Sequence, residues 1–222
     1  MSKLTAFVQL DLLTLKPYLK SVVALLGVGA ILGFVQRDAY AIVAICIVYV
    51  LLIMAYPFTI GEKNTLDMLY ATLAIRRRTV VFGRYALTLL VFTVVTLLGV
   101  LLAYGMARLL GFPFAWPDMA MLVAIFFIVF ALAAALQLPL YFKLGYAKAR
   151  LLTYLPLALI PVVLYLFSLV NDAETIKPLI EQIAAWADAN RGLTYLLSLS
   201  SGLLILAVSA TIARRFYEQR EF

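Results

Sequence analysis

The chain contains no histidine and a single cysteine, Cys46. The first absence excludes imidazole acid–base chemistry and any His-ligated haem or metal. The second excludes an intramolecular disulfide and a thiolate cluster. Charge is also scarce. Only 13% of the 222 residues are Asp, Glu, Lys or Arg, while 66% are hydrophobic and the mean hydropathy is +1.06. A soluble domain carries about 25% charged and about 45–50% apolar residues. A small soluble fold leaves too much surface exposed to hide this much apolar carbon. The composition therefore predicts an integral membrane protein.

Several chemical signatures are missing as well. No G-x-x-x-x-G-K-[ST] loop is present, so the chain cannot serve as its own P-loop motor. There is no Gly-x-Ser-x-Gly elbow, no His-based zinc motif and no Asp-rich magnesium motif. The apolar stretches hold almost no ionisable side chains, whereas ion-coupled carriers bury acids or histidines at mid-membrane. Gln137, Thr153 and Tyr154 are weak substitutes, and Gln137 reads more simply as an interhelical hydrogen-bond partner. Cys46 reads as a small buried residue.

What is present is a series of long apolar runs. A spanning helix needs about 20 such residues. Six stretches qualify or nearly so: Lys20–Val35, Ala39–Ile60, Tyr85–Ala107, Met119–Phe142, Leu151–Val170 and Leu193–Ala213. Pro57, Pro139, Pro156 and Pro161 fall in or beside these spans as kink sites, and Gly27, Gly29 and Gly33 give the first a small-residue face. The fold expected is all-α and membrane-embedded, one permease-like domain over residues 1–222 with six spans. The first stretch reads as a retained span rather than a cleaved signal, because Lys3, Lys16 and Lys20 lengthen the basic region before it.

Charge assigns the sides. Lys3, Lys16, Lys20, Lys63, Arg76, Arg77, Arg78, Arg84, Lys143, Lys148, Arg150, Arg214, Arg215 and Arg220 fall on one side, fourteen in all, against four (Arg37, Arg108, Lys177, Arg191) on the other. The positive-inside rule places both termini in the cytoplasm. The net charge of +7 is thereby a topological feature, and no nucleic-acid partner is needed to explain it.

Three segments lie outside the spans. Residues 2–17 space Leu4, Phe7, Val8, Leu12 and Leu15 as an amphipathic helix suited to the interface. It either anchors the N-terminus or holds a partner. In the loop 61–78, Leu66, Leu69, Tyr70 and Leu73 form an i, i+3, i+4, i+7 stripe, with Asn64 or Thr65 as cap and Asp67 in the first turn. Arg76, Arg77 and Arg78 are expected at the C-terminal end of that short helix, where cations are favoured. Such a helix can receive a push from a cytosolic motor. It can equally be an interfacial loop with a positive-inside cluster. Residues 171–192 place Ile176, Leu179, Ile180, Ile183, Ala184 and Ala187 on one face, with Trp186 as an interfacial anchor. This external amphipathic helix suits either a lid over an exit path or a lipid-stabilised loop.

Two blocks carry a resemblance. Glu62-Lys63-Asn64-Thr65-Leu66-Asp67-Met68-Leu69, then Ala74-Ile75-Arg76-Arg77 and Val80-Val81-Phe82-Gly83-Arg84-Tyr85, resembles the permease subunits of the ABC type-2 exporter family. That family shows an acid-lysine start, a Thr-x-x-x-Leu helix, a Leu-Pro-Ile-x-Arg turn and an Ile-Val-x-x-Lys lead-in to the third span. Here Leu73-Ala74-Ile75-Arg76 lacks the proline and Arg84 replaces the lysine. The second block, Leu138-Pro139-Leu140-Tyr141-Phe142-Lys143-Leu144-Gly145-Tyr146-Ala147-Lys148-Ala149-Arg150, is similar to small bacterial members, among them exporters of amphipathic toxin peptides and bacteriocin self-protection systems.

The resemblance implies a non-catalytic permease in a bacterial plasma membrane. Its partners would be a second permease, a copy or a paralogue, and two cytosolic ATP-binding-cassette subunits. ATP and magnesium would be held by those subunits and no cofactor by this chain. Glu62, Asp67, Leu69 and Tyr70 would dock the ATPase, with Arg76, Arg77 and Arg78 beside them. Lys143, Lys148 and Arg150 would form the lesser contact, and residues 2–17 the connecting helix. The competing expectations are an ion-coupled carrier or channel, and a membrane scaffold or sensor.

The topology is testable. In a Cys46→Ser background, single cysteines placed within 143–150 should resist a membrane-impermeant maleimide added to intact cells. Cysteines within 108–118 or 177–191 should be labelled. The reverse pattern would refute the orientation.

Overall fold

The computed structural model describes residues 19–63, 76–153 and 177–219. The expected interfacial helix at 2–17, the stripe at 64–75 and most of the fifth span lie outside the described residues. Within them the chain forms eight helices: α1 Leu19–Gln36, α2 Ala39–Ile53, α3 Tyr56–Lys63, α4 Arg77–Leu110, α5 Trp116–Leu144, α6 Tyr146–Thr153, α7 Lys177–Ala189 and α8 Arg191–Glu218. Four stretches are long and apolar enough to cross a membrane: α2 with α3 (Ala39–Lys63), α4, α5 and α8. The apolar part of α1, Val22–Gln36, is shorter.

Boundaries follow local chemistry. Asp38 accepts from the Tyr40 amide at 2.8 Å and caps α2. Pro57 lacks an amide hydrogen, and its ring clashes with the preceding turn. The second span accordingly breaks at Met54–Ala55, where Ala55 N–H turns back to Leu52 O at 3.2 Å, before α3 continues. The sequence had read Ala39–Ile60 as one run. At the far end of α4, Gly111 adopts φ 73° and returns its amide to Ala107 O at 3.0 Å, a left-handed helix cap.

One correction concerns the arginines. Arg77 and Arg78 do not close a preceding helix; they open α4, with Arg76 as its N-cap. The third span therefore begins eight residues before Tyr85, and Arg84 lies two turns inside the helix. Cations at a helix N-terminus oppose its dipole, so tertiary contacts must compensate.

Close packing holds the bundle together. α8 lies along α5, and Gly202 of α8 faces the ring of Phe127. A Cβ there would lie 2.5 Å from Phe127 Cε1. Phe127 cannot yield readily, because Phe92 packs against it at a tilt, 5.3 Å between centroids, and itself stacks on Phe130 at 4.4 Å. Gly33 of α1 meets Ile42 of α2 in the same way, and Gly99 of α4 meets Cys46. Cys46 is buried, as expected for a small core residue. One buried polar bridge crosses the seam: Tyr85 Oη and Ser209 Oγ are 2.6 Å apart, and Ser209 donates to Ala135 O at 3.1 Å. The outer faces remain apolar, with Leu109, Leu136 and Leu204 all exposed. That is the surface a bilayer covers.

Two substitutions separate packing from helix propensity. Gly202→Ala should destabilise by about 1–3 kcal/mol through overpacking, seen as a lower unfolding midpoint in detergent. Gly27→Ala should not destabilise, because a Cβ at Gly27 meets nothing within 4 Å. Equal midpoints for the two variants would refute the seam.

Candidate functional site at the basic end of the bundle

The helices carry the basic residues to one end. α3 arrives there, α4 starts there, α5 ends there, α6 lies there and α8 finishes there. Their contacts form a continuous rim. Phe58 packs on Tyr141 and Phe142, both at 5.0 Å between centroids, and Phe142 meets Tyr217 edge-on at 5.2 Å. Arg84, only 4% exposed, places its guanidinium 4.9 Å from the Phe58 ring centroid. A small cavity of about 40 Å³ lies within this rim, lined by Phe58, Glu62, Arg84, Tyr141, Tyr146 and Tyr217 among others. It has room for water rather than for a cargo molecule.

Arg77 explains how α4 tolerates its basic start. Its Nη1 donates to Tyr217 O at 3.0 Å and to Glu218 O at 2.7 Å. These are carbonyls at the C-terminus of α8, which an intrahelical amide cannot reach. The cation and the negative end of that dipole stabilise each other. Arg214 pairs with Glu218 at 2.7 Å, and Lys143 Nζ sits 4.8 Å over Phe216. Two residues expected to face a partner, Arg77 and Lys143, thus also brace the bundle.

The other expected site residues divide. Glu62, Arg76, Arg78 and Lys148 are exposed at this end. Glu62 Oε2 accepts from the Ala147 amide at 2.7 Å, which joins the two loops. Asp67, Leu69 and Tyr70 lie outside the described residues, as does the side chain of Arg150. Sequence reasoning missed Phe58, Arg84 and Tyr217 as site residues. Arg84 entered as a positive charge and as the stand-in for the family's lysine, although an arginine eight residues into an apolar helix is itself a signal of burial.

The opposite end is built differently. Tyr40 Oη accepts from the Ala115 amide at 2.9 Å, and Tyr195 Oη donates to Pro117 O at 3.0 Å. Arg191 pairs with Asp118 and Asp188, each at 3.1 Å. Between the ends, α4, α5 and α8 enclose an open groove of about 600 Å³. Leu89, Phe92, Trp116, Phe127, Tyr195 and Leu203 stand in its largely apolar lining. No group of acids or cysteines able to hold a metal occurs among the described residues.

The family described as ABC-2 family transporter protein matches residues 7–218. The chain belongs to that family. It is a multi-pass membrane protein and a permease component of an ABC transporter. No curated protein and no solved structure matches it. For this ABC-2 permease the match covers every described helix, so the rim and the groove both lie in the family's membrane domain.

The bond from Arg77 to α8 can be measured by itself. Arg77→Ala should free the last carbonyls of α8, at a cost of about 1 kcal/mol, or roughly a fivefold rise in amide exchange over 213–218. Arg77→Lys should recover part of the protection. Unchanged exchange in Arg77→Ala would show that the contact contributes nothing.

Proposed function

We propose that this permease is the membrane subunit of an ATP-driven exporter, moving a hydrophobic or amphipathic cargo outward. Two copies, or one copy and a paralogue, would flank the substrate path, and two cytosolic ATPase subunits would supply the energy. The family match over residues 7–218 carries this reading. Within an ABC transporter, a stretch of chain without a phosphate-binding loop draws its energy from an ATPase outside that stretch, here read as a separate subunit. The apolar groove between α4, α5 and α8 supports a cargo with little charge. An amphipathic peptide is the cargo class favoured, on the resemblance of the Pro139–Arg150 block to peptide exporters.

The docking surface in this reading is the basic rim. Asp67, Leu69 and Tyr70 contact the ATPase from the first loop, flanked by Arg76 and Arg78. Lys148 and Arg150 contact it from the second loop, beside Lys143. ATP binding closes the ATPase pair, and the loops pass that displacement into α4, α5 and α8. Arg77 fastens α4 to α8 at the rim, which suits force transmission between spans.

Co-expression with a candidate ATP-binding-cassette protein, chosen from any neighbouring reading frame that carries a phosphate-binding loop, is the direct test. The two should co-purify in detergent, and reconstituted vesicles should accumulate an amphipathic peptide only with ATP. Asp67→Lys should reduce co-purification by about tenfold, equal to the ~1.4 kcal/mol that one docking charge contributes. Peptide flux without nucleotide, or driven by a proton gradient alone, would overturn the proposal.

A further inference from the structure

We propose that Glu62 is a positioning residue that fastens the end of α3, where the first basic-end loop begins, to the start of α6 in the second, so that these two elements move as one body. This deepens the exporter reading and rests on it for the functional consequence. The fastening itself stands on geometry.

α6 begins at Tyr146, directly after Gly145. The first amides of a helix have no intrahelical acceptor. An N-cap side chain ordinarily accepts from the second or third helical residue, and Gly145 has no side chain to do so. Ala147 is the second residue of α6. Its amide donates to Glu62 Oε2, 85 positions earlier in the chain, at 2.7 Å. Glu62 thus supplies in tertiary contact the cap that the local sequence lacks. A carboxylate there is favoured twice, by a charge-assisted hydrogen bond and by the dipole of α6.

A second contact makes the attachment directional. Phe58 stands one turn before Glu62 on α3 and packs on Tyr141 and Phe142, the turn of α5 that leads into Gly145. Residues 58 and 62 share one helix face. α3 is therefore held at two successive points to the α5–α6 junction. Below it, Arg84 sits against Phe58 and Gly61, filling the space between α3 and α4. α3 leads directly into the first loop, and Lys148 follows Ala147 in the second. A displacement that reaches the end of α3 is imposed on the start of α6, and the reverse, before it reaches the longer spans. Glu62 then acts from inside the permease, joining α3 and α6 where they meet the two docking loops.

Two measurements test this. Trypsin cleavage after the exposed Lys148 is read on the permease alone in detergent. Glu62→Ala should speed it about three- to tenfold, the effect of losing one N-cap. Glu62→Gln keeps an acceptor oxygen and should stay within about twofold of the parent. In the reconstituted complex, Glu62→Ala should leave ATPase stoichiometry unchanged and lower peptide transported per ATP hydrolysed, with Glu62→Gln restoring most of it. Equal trypsin rates in the parent and Glu62→Ala overturn the fastening, whether or not an ATPase binds. Loss of the ATPase from both variants, with trypsin rates unchanged, would instead assign Glu62 to direct docking. Altered trypsin rates with unaltered transport per ATP would confine Glu62 to local stability and overturn its positioning role.

Discussion

In hydrocarbon a helix gains nothing by hiding leucine, because lipid tails are as apolar as its neighbours. Association then depends on how closely backbones approach and on the few polar groups that cross between helices. This constraint organises the bundle. Gly33, Gly99 and Gly202 each admit a partner side chain that a larger residue would displace. The Phe92, Phe127 and Phe130 rings fill the space that Gly202 opens. The Tyr85–Ser209 pair bonds across the same seam, so a buried polar bridge and a tight apolar contact reinforce each other.

The two ends of the bundle solve a different problem. Helix termini carry unsatisfied amides and carbonyls, and the two ends satisfy them by different means. Away from the basic loops, Asp38 and Gly111 act as local caps, and Tyr40 and Tyr195 bond the backbone on either side of Trp116. At the basic end the caps come from distant residues. Arg77 serves α8, and Glu62 serves α6. Local caps stabilise single helices; distant caps tie helices together. Ties of this second kind brace both ends, since Tyr40 and Tyr195 also reach across the bundle; at the basic end they fall on the termini of α6 and α8 through charged side chains.

Much of the fold could be read along the chain. Length, hydropathy and the charge count placed the second, third, fourth and sixth spans close to where α2, α4, α5 and α8 lie. Boundaries were less legible. Tyr85 looked like the start of a span because the arginines before it are polar, yet α4 runs back to Arg77 once α8 offers carbonyls to that guanidinium. Hydropathy reports which residues lipid accepts; it does not report where a helix stops. Pro57 announced a break in the second span, but not that α3 would continue the path and bring Phe58 over Arg84.

By itself the sequence determined that the protein lives in a membrane and which end collects positive charge. Those properties are sums over residues, and a sum needs no fold. It also carried two motif blocks, around Glu62 and around Lys143, as separate stretches. Only the tertiary structure decided that they touch. Ala147 needs an acceptor because Gly145 has none, and that need is invisible until α6 and α3 are placed side by side. The same holds for Arg77, whose basic charge reads as topology in one dimension and as a helix cap in three.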